Sequence, residues 1–540
     1  MAKKKRKNTI IQIGGKALDL PQDVLAKFNY VKLQGNYDFI ADNEQLAIFT
    51  GGVFNPKQNR NLYVLGRDAV LLQRFPRLLE QLPAYQVFFD TDAQIDAGQR
   101  TVLDKRFAIP VALEDATSLR QIADRFLDYT ISTNGYKLNT KFLQVRESFK
   151  GTSVKKGNFS LEMSGDFGQE MQQILSWKSD FKPIAAKTSL VFYPEIMVSS
   201  GDIELEIKIF LHDPYTETIT AIFRGSPQVF RSQEKVIYNH LNTSQAVGIA
   251  LYAKGGEGKI EIGQVHFREH LSDNSILIPG GKQLIDTTVR HEEILYYFHP
   301  GDLKPPLSVL FSTHRIKEGF DGRGMMGKKE SPFLLISDPR LLGGNLYLGS
   351  NVLEEKVVAL IKDKLAWLGF TNKELILSGI SMGAFASLYY AADLKPAAVI
   401  LGKLLTSLGS SAMAEPIRGH DEFGTSADML LHFGDKSGNS IAEQAKQLDR
   451  KFWDKFEDAD FNATIFAICY MKNDEYNDNV FSRLVESLRT HSPKASIIYK
   501  GYVGRHNDNT GGTVTWVDKQ YRNILSKQFG RKIVYKPYNG

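Results

Sequence analysis

Cysteine is almost missing from this chain: Cys469 is the single one in 540 residues. One thiol excludes an internal disulfide framework and fits a reducing compartment. Cys469 sits in the apolar run Thr464 to Tyr470, where core packing is expected of it rather than nucleophilic duty. No uninterrupted apolar run is long enough to span a bilayer. The segment Ile10 to Ile13 ends at Gly14-Gly15, too short for a signal-peptide core. These absences point to a cytoplasmic protein, with any membrane contact peripheral. Metal-ligand spacing is lacking as well. The 11 histidines are scattered and no H-E-x-x-H pattern occurs, so no metal is expected. Gly14-Gly15 and Gly51-Gly52 follow apolar runs but do not extend to a phosphate-binding pattern, so no bound cofactor is expected either. Excess charge is confined to one place. The formal charge is +6, and Lys3, Lys4, Lys5, Arg6 and Lys7 supply five of it. A nearly neutral body with a short basic tail argues against nucleic acid as a partner and reads as a solubilising terminus.

What remains is ordinary globular material, 42% hydrophobic and 24% charged, in a chain too long for one core. Three parts are expected. Residues 1–150 mix short strands (Ile10 to Ile13, Leu62 to Leu65, Tyr85 to Phe89) with a helical stretch between Gly66 and Tyr85, a small α/β domain behind the basic tail. Residues 151–280 are strands broken by turns. Ile203 to Ile209 alternates strictly, and Lys254 to Gly258 is a turn in a hairpin-like unit, so a β-sandwich of the jelly-roll kind is predicted. Trp177, Tyr193 and Phe230 would serve as sugar platforms if exposed, although core packing is the ordinary role for each. Residues 281–540 alternate strand and helix, which predicts a mostly parallel sheet covered on both faces. Its strands are Leu307 to Phe311, Phe333 to Ile336, Leu375 to Leu377, Ala397 to Leu401, Thr464 to Tyr470 and Ser496 to Tyr499.

One stretch carries chemistry. Leu375-Ile376-Leu377-Ser378-Gly379-Ile380-Ser381-Met382-Gly383 is an apolar strand running into G-x-S-x-G with a small-residue helix behind it. That setting makes Ser381 a candidate nucleophile on a strand-to-helix turn, at the helix end where free N–H groups favour an oxyanion. In such a site the order along the chain is serine, acid, histidine. His506, in the loop after Ser496 to Tyr499, lies at the carboxyl end of the sheet, the same side as Ser381. His491 closes a helix at the other end. The acid falls in the loop after Thr464 to Tyr470, where Asp474 and Glu475 stand side by side near even; Asp435 is a weaker third. The Met382 N–H is one oxyanion donor by position, and Ser312, Thr313 or His314 supplies the second. Asp338 and Arg340 read as a structural ion pair ahead of a substrate contact. The sixty or so residues between Leu401 and Thr464, with Gly409-Ser410-Ser411 and Ile417-Arg418-Gly419-His420, have room to form a cap over the site.

With these residues in hand the chain resembles the second of the accessory Sec secretion proteins of Gram-positive bacteria. The resemblance is carried by Phe311-Ser312 with Glu318-Gly319-Phe320, by Ser337-Asp338-Pro339-Arg340, by Ser378 to Gly383, by Tyr470-Met471 with Asp474-Glu475-Tyr476, and by Gly504 to Asp508. It implies an α/β-hydrolase-like C-terminal domain whose Ser-Glu-His triad O-acetylates N-acetylglucosamine on serine-rich-repeat adhesins. Residue by residue the triad would be Ser381, Glu475 and His506, with Met382 and Ser312 at the oxyanion hole. The implied partners are the companion accessory Sec proteins, a SecA-type motor ATPase and the glycoprotein substrate. The acetyl donor is not legible, and nothing argues for or against acetyl coenzyme A. Two alternatives stand beside this reading: a plain carboxylesterase or peptidase of the same fold, and a non-catalytic scaffold of the export complex.

Overall fold

Continuous apolar runs form strands buried on both faces, and alternating runs form strands with one wet face. Both kinds occur in the computed structural model, which describes residues 7–34, 47–178, 183–340, 345–418, 428–433, 440–476 and 479–532. Asp435, the Gly419-His420 pair and Lys3 to Arg6 of the basic tail lie outside the described residues. The chain divides into two units, the first made of residues 1–133, 271–281 and 298–304.

In the first unit, strands β1 (Thr9–Ile13), β2 (Asn29–Leu33), β3 (Leu62–Leu65), β4 (Val87–Asp90) and β5 (Ile109–Val111) form a parallel sheet in the order β2-β1-β3-β4-β5. Alternation sends Ile11, Ile13, Tyr63 and Leu65 into one core and Ile10, Leu62 and Val64 into another, as a period of two requires. The helical stretch expected between Gly66 and Tyr85 is broken into Val70–Gln73 and Pro76–Leu79. Pro76 cannot continue the first helix but is well placed to start the second.

The second unit holds everything else described. The expected boundary at 150 moves forward, because β6 (Tyr136–Leu138) and β7 (Leu143–Val145) pair into the sandwich sheets. The remaining sandwich strands are β8 (Gly151–Lys156), β9 (Ser160–Asp166), β10 (Gln172–Trp177), β11 (Ser189–Ser200), β12 (Glu204–His212), β13 (Ile219–Gly225), β14 (Ile237–Tyr238), β15 (Ala246–Lys254) and β16 (Glu257–Glu269). One sheet runs β8-β9-β16-β11-β14 with β6 on β16, and the other β13-β12-β15-β10-β7. Side chains from both interdigitate, among them Met163, Phe192 and Ile260 from one sheet and Ile207, Ile249 and Leu251 from the other. The turn at Lys254 to Gly258 is therefore not a hairpin: β15 and β16 belong to different sheets, and each must bury its own apolar face. Trp177, Tyr193 and Phe230 are all buried, which leaves none of them as an exposed sugar platform.

The large sheet adds β17 (Gly281–Asp286), β18 (Glu292–His299), β19 (Leu307–Phe311), β20 (Phe333–Ser337), β21 (Leu375–Ile380), β22 (Ala398–Gly402), β23 (Ile465–Met471) and β24 (Ser496–Tyr502), in the order β17-β18-β20-β19-β21-β22-β23-β24. From β20 to β24 neighbours are parallel. The chain leaves β19 toward β20 on one side and leaves β21 toward β22 on the other. The carboxyl ends of β19 and β21 thus flank a topological switch point, the place where such sheets open a crevice. Helix α1 (Met382–Leu394) begins there. Helices α2 (Val480–His491) and α3 (Thr510–Phe529) precede and follow β24.

Candidate active site

Ser381 stands between β21 and α1 with φ 56° and ψ −117°, a left-handed backbone that a residue with a Cβ adopts only under tertiary constraint. The two flanking glycines explain how the turn closes. A Cβ on Gly379 would lie 2.1 Å from the Gly383 carbonyl carbon, and one on Gly383 would lie 2.2 Å from the Phe311 carbonyl oxygen. The G-x-S-x-G spacing is thus a requirement of close backbone approach on both sides of the serine. The Ser381 N–H donates to the Gly402 carbonyl at 2.8 Å, which fixes the turn against β22.

His506 reaches Ser381 from the loop after β24. Its Nε2 lies 2.8 Å from Ser381 Oγ, and the imidazole is almost fully buried, with 1% exposed. On the other side of the ring, Nδ1 lies 2.7 Å from Asp474 Oδ2. The acid expected from the resemblance, Glu475, is not in that place. Its carboxylate accepts the backbone N–H of His506 at 2.8 Å. The reason is local. Asp474 Oδ1 caps the Tyr476 N–H at 3.0 Å, an Asx turn that aims the short side chain at the ring. Consecutive loop residues diverge, so the longer Glu475 runs past the imidazole to the main chain behind it. The two loops are also laced together: the Lys472 N–H donates to Tyr502 O at 2.8 Å and the Asn473 N–H to Gly504 O at 3.2 Å. Tyr476 packs edge-on against the imidazole at 5.0 Å.

On the oxyanion side, Met382 is the first residue of α1, so its N–H lies outside the intrahelical ladder beside Ser381. Ser312 does not supply the second main-chain donor: its N–H continues the sheet to Ile336 O at 2.9 Å, and its Oγ accepts from the Asp321 N–H at 3.0 Å. The Thr313 N–H is held by Asp321 Oδ2 at 3.0 Å. Burial, with the Lys137 charge added, pushes the third loop residue, His314, below its ordinary range. Asp338 and Arg340 form a buried ion pair through Nε at 2.9 Å, and Arg340 also bonds Glu292 at 2.6 Å and the Leu348 carbonyl at 3.0 Å. This is a structural junction.

These distances describe a serine whose proton has a path to an imidazole oriented by a carboxylate. The family model described as Accessory Sec system GspB-transporter matches residues 9–531 of the chain. The chain belongs to this accessory Sec family. Accessory Sec system protein 2 of Staphylococcus aureus is 36% identical over 406 residues, covering 74% of each chain. The protein of the same name from Streptococcus gordonii is 38% identical over 400 residues, covering 74% of this chain and 76% of its own. A chain of the Glycosylation Associate Protein (Gap123) complex from Streptococcus agalactiae superposes with a TM-score of 0.79 at 30% identity, covering 97% of this chain and 99% of that one.

In this accessory Sec family member, two further residues shape the rim, and only Lys403 had no signal in the sequence. Lys403 follows β22 with φ 52°, is buried, and donates to Thr510 Oγ1 at 2.7 Å. Burial lowers its pKa, against the pull of Asp474 and Asp508. Ser411, on the helix Leu408–Arg418 of the expected cap, donates to the Tyr476 carbonyl at 2.7 Å and so braces the acid loop. Among the described residues no cluster of ligand side chains is arranged for a metal ion. No helix among them is long and apolar enough to cross a membrane.

Proposed function

We propose that the large-sheet domain is an α/β-hydrolase-type acyltransferase in which Ser381 is the nucleophile, His506 the general base and Asp474 the orienting acid. The observation that carries this reading is the buried relay Ser381–His506–Asp474, at 2.8 and 2.7 Å. In the forward step Ser381 Oγ attacks the acyl carbonyl and its proton passes to His506 Nε2. The Met382 N–H faces the developing oxyanion, and the leaving group takes the proton from His506 as the acyl-enzyme forms. Asp474 holds Nδ1 protonated and stabilises the imidazolium. In the second step an acceptor hydroxyl gives its proton to His506 as its oxygen attacks the acyl carbon; the bond to Ser381 Oγ breaks and His506 returns the proton to Ser381.

Membership of the accessory Sec family supports the finer reading. The acyl group is acetyl, the acceptor is N-acetylglucosamine on serine-rich-repeat glycoprotein adhesins, and the protein works with companion accessory Sec proteins and a SecA-type motor. The relay serves hydrolysis and transfer alike, so the acceptor decides between acetyltransferase and esterase. The deciding experiment is mass spectrometry of adhesin glycans from wild-type and Ser381→Ala cells. Acetyl groups are expected to vanish from the sugar in the variant, a loss of up to about 10⁶ in turnover. Unchanged glycan acetylation would sink the reading.

A further inference from the structure

The loop from Ser312 to Asp321 leaves the carboxyl end of β19 and forms the wall beside the nucleophile turn. Its first residues touch α1 directly, since the position a Gly383 Cβ would take is 2.2 Å from the Phe311 carbonyl and 3.3 Å from the Ser312 carbonyl. Tyr347 adds a hold from behind: its hydroxyl lies 2.7 Å from the Ser312 carbonyl and 3.1 Å from the Ile336 carbonyl. The far end of the loop touches the catalytic domain through Phe320, whose ring meets Tyr297 of β18 at 6.3 Å, but its charged residue Glu318 is held elsewhere. It is held by the sandwich.

Glu318 makes that connection. Its main chain forms a two-bond bridge with Gly135, at 3.0 and 3.1 Å. Its carboxylate divides between two side chains of β16, with Oε1 2.5 Å from His266 Nδ1 and Oε2 2.5 Å from Arg268 Nε. Arg268 continues to Glu293 on β18, and His266 Nε2 meets Glu195 of β11 at 3.2 Å. Glu195, His266, Arg268, Glu293 and Glu318 are all at least 97% buried. Arg315 adds a second tie, bonding Asn134 at 3.1 Å and pairing with Asp321. Asp321 in turn holds the Thr313 N–H and the Ser312 hydroxyl beside the turn.

A buried charge cluster is weak evidence of stability, because desolvation offsets much of its attraction, but it defines geometry sharply. Here what it defines is the path of a loop that begins against the nucleophile turn. We propose that Glu318 is a positioning residue through which the sandwich sets the shape of the acyl pocket around Ser381. The sandwich is then a working part of the catalytic unit, and not only an appended module. The proposal rests on the acyl-transfer reading above.

The test uses the full chain and a fluorophosphonate probe. Ser381 Oγ bonds to phosphorus, fluoride leaves, and the serine proton passes to His506. Peptide mapping locates the label, and the maximal labelling rate and half-saturating probe concentration are measured separately, below the melting transition and per folded molecule. Two variants perturb the clamp differently. Glu318→Gln removes the charge. Gly135→Ala keeps every charge but places a methyl 2.5 Å from Glu318 Oε2. Ile316→Ala, at a position 77% exposed on the same loop, is the control. Both clamp variants are expected to lose about 10² in maximal rate with half-saturation unchanged, as misplacement by about an ångström does. The control should label like wild type.

A purely structural role would lower the melting temperature and leave the per-molecule rate alone. If Glu318→Gln fails to fold, Gly135→Ala decides. Wild-type labelling by whichever clamp variant folds overturns the proposal, as does slow labelling by the control. If neither clamp variant folds, the cluster is fold-determining and the proposal is overturned in favour of that role. Failure of the wild type to label at Ser381 is a different result: it removes the acyl-transfer reading itself.

Discussion

Two adjacent carboxylates, Asp474 and Glu475, hold the same histidine by different handles. Asp474 meets the ring at Nδ1 and Glu475 meets the backbone N–H. Their substitutions should therefore separate. Asp474→Asn would present an amide to Nδ1 and upset the tautomer His506 needs, and is expected to cost about 10⁴ in turnover. Glu475→Gln keeps a carbonyl oxygen for the backbone N–H and should cost less than about tenfold, within the worth of one hydrogen bond. Steady-state turnover of an acetyl ester by the two variants checks this. The reverse ranking would make Glu475 the working acid. Cys469 needs no catalytic role, since it is fully buried and its thiol is pushed up by burial.

The strand-to-helix junction from β21 into α1 works as one element. Strand, turn and helix are each apolar or small: every residue of α1 from Met382 to Ala392 is buried, and Ser387 Oγ bonds the Gly383 carbonyl at 2.7 Å. With backbone on both sides, the junction cannot take up a side chain. Gly383→Ala is expected to abolish measurable ester turnover. It should also cost roughly 1–3 kcal/mol of stability, as forced overpacking does, read by urea denaturation. Full activity in Gly383→Ala would show that the approach of Phe311 is not needed. The same reasoning explains why G-x-S-x-G is legible in the chain: the pattern records a steric demand inside a single local element. The helical stretch after Gly66 is split because Pro76 cannot continue one helix and starts the next.

At the scale of the molecule, the cluster around His266 carries a signature in pH. Both ring nitrogens face carboxylates, a state that suits the imidazolium. Burial alone would lower the imidazole, but the Glu318 charge and hydrogen bonds to Glu195 and Glu318 outweigh it and raise it from 6.5 to about 9. Glu293 also faces it. A folded pKa raised above the unfolded one means stability fully present below pH 6.5 and lost as pH rises through about 9. Burial pushes the neighbouring Lys137 down as well, and its contribution runs in the opposite sense. The expected result is a melting temperature that declines between these limits in wild type and declines less in His266→Gln. Equal slopes would show that His266 is neutral in the folded protein. Burial would raise Glu318, but Arg268 and His266 bring it down to about 2. Its contribution is therefore present above the unfolded value and fades only as pH falls toward 2.

Local patterns were enough to divide the chain into a basic tail, a small α/β part, a strand-rich middle and an alternating C-terminal part. They also bring Ser381 and His506 forward as candidates at one rim of the sheet, because strand periodicity, a glycine-framed turn and the order of strand ends are written in neighbouring residues. Three matters depended on residues far apart in the chain meeting in space. Asp474 rather than Glu475 turned to the imidazole, because loops at 472–476 and 502–506 lace together. Ser312 spent its N–H on β20, because sheet pairing claims main-chain donors first. Glu318 met His266 and Arg268, because a buried carboxylate must find cations wherever the fold brings them. Side-chain direction and charge pairing across fifty or more residues are properties of packing, and no local pattern encodes them.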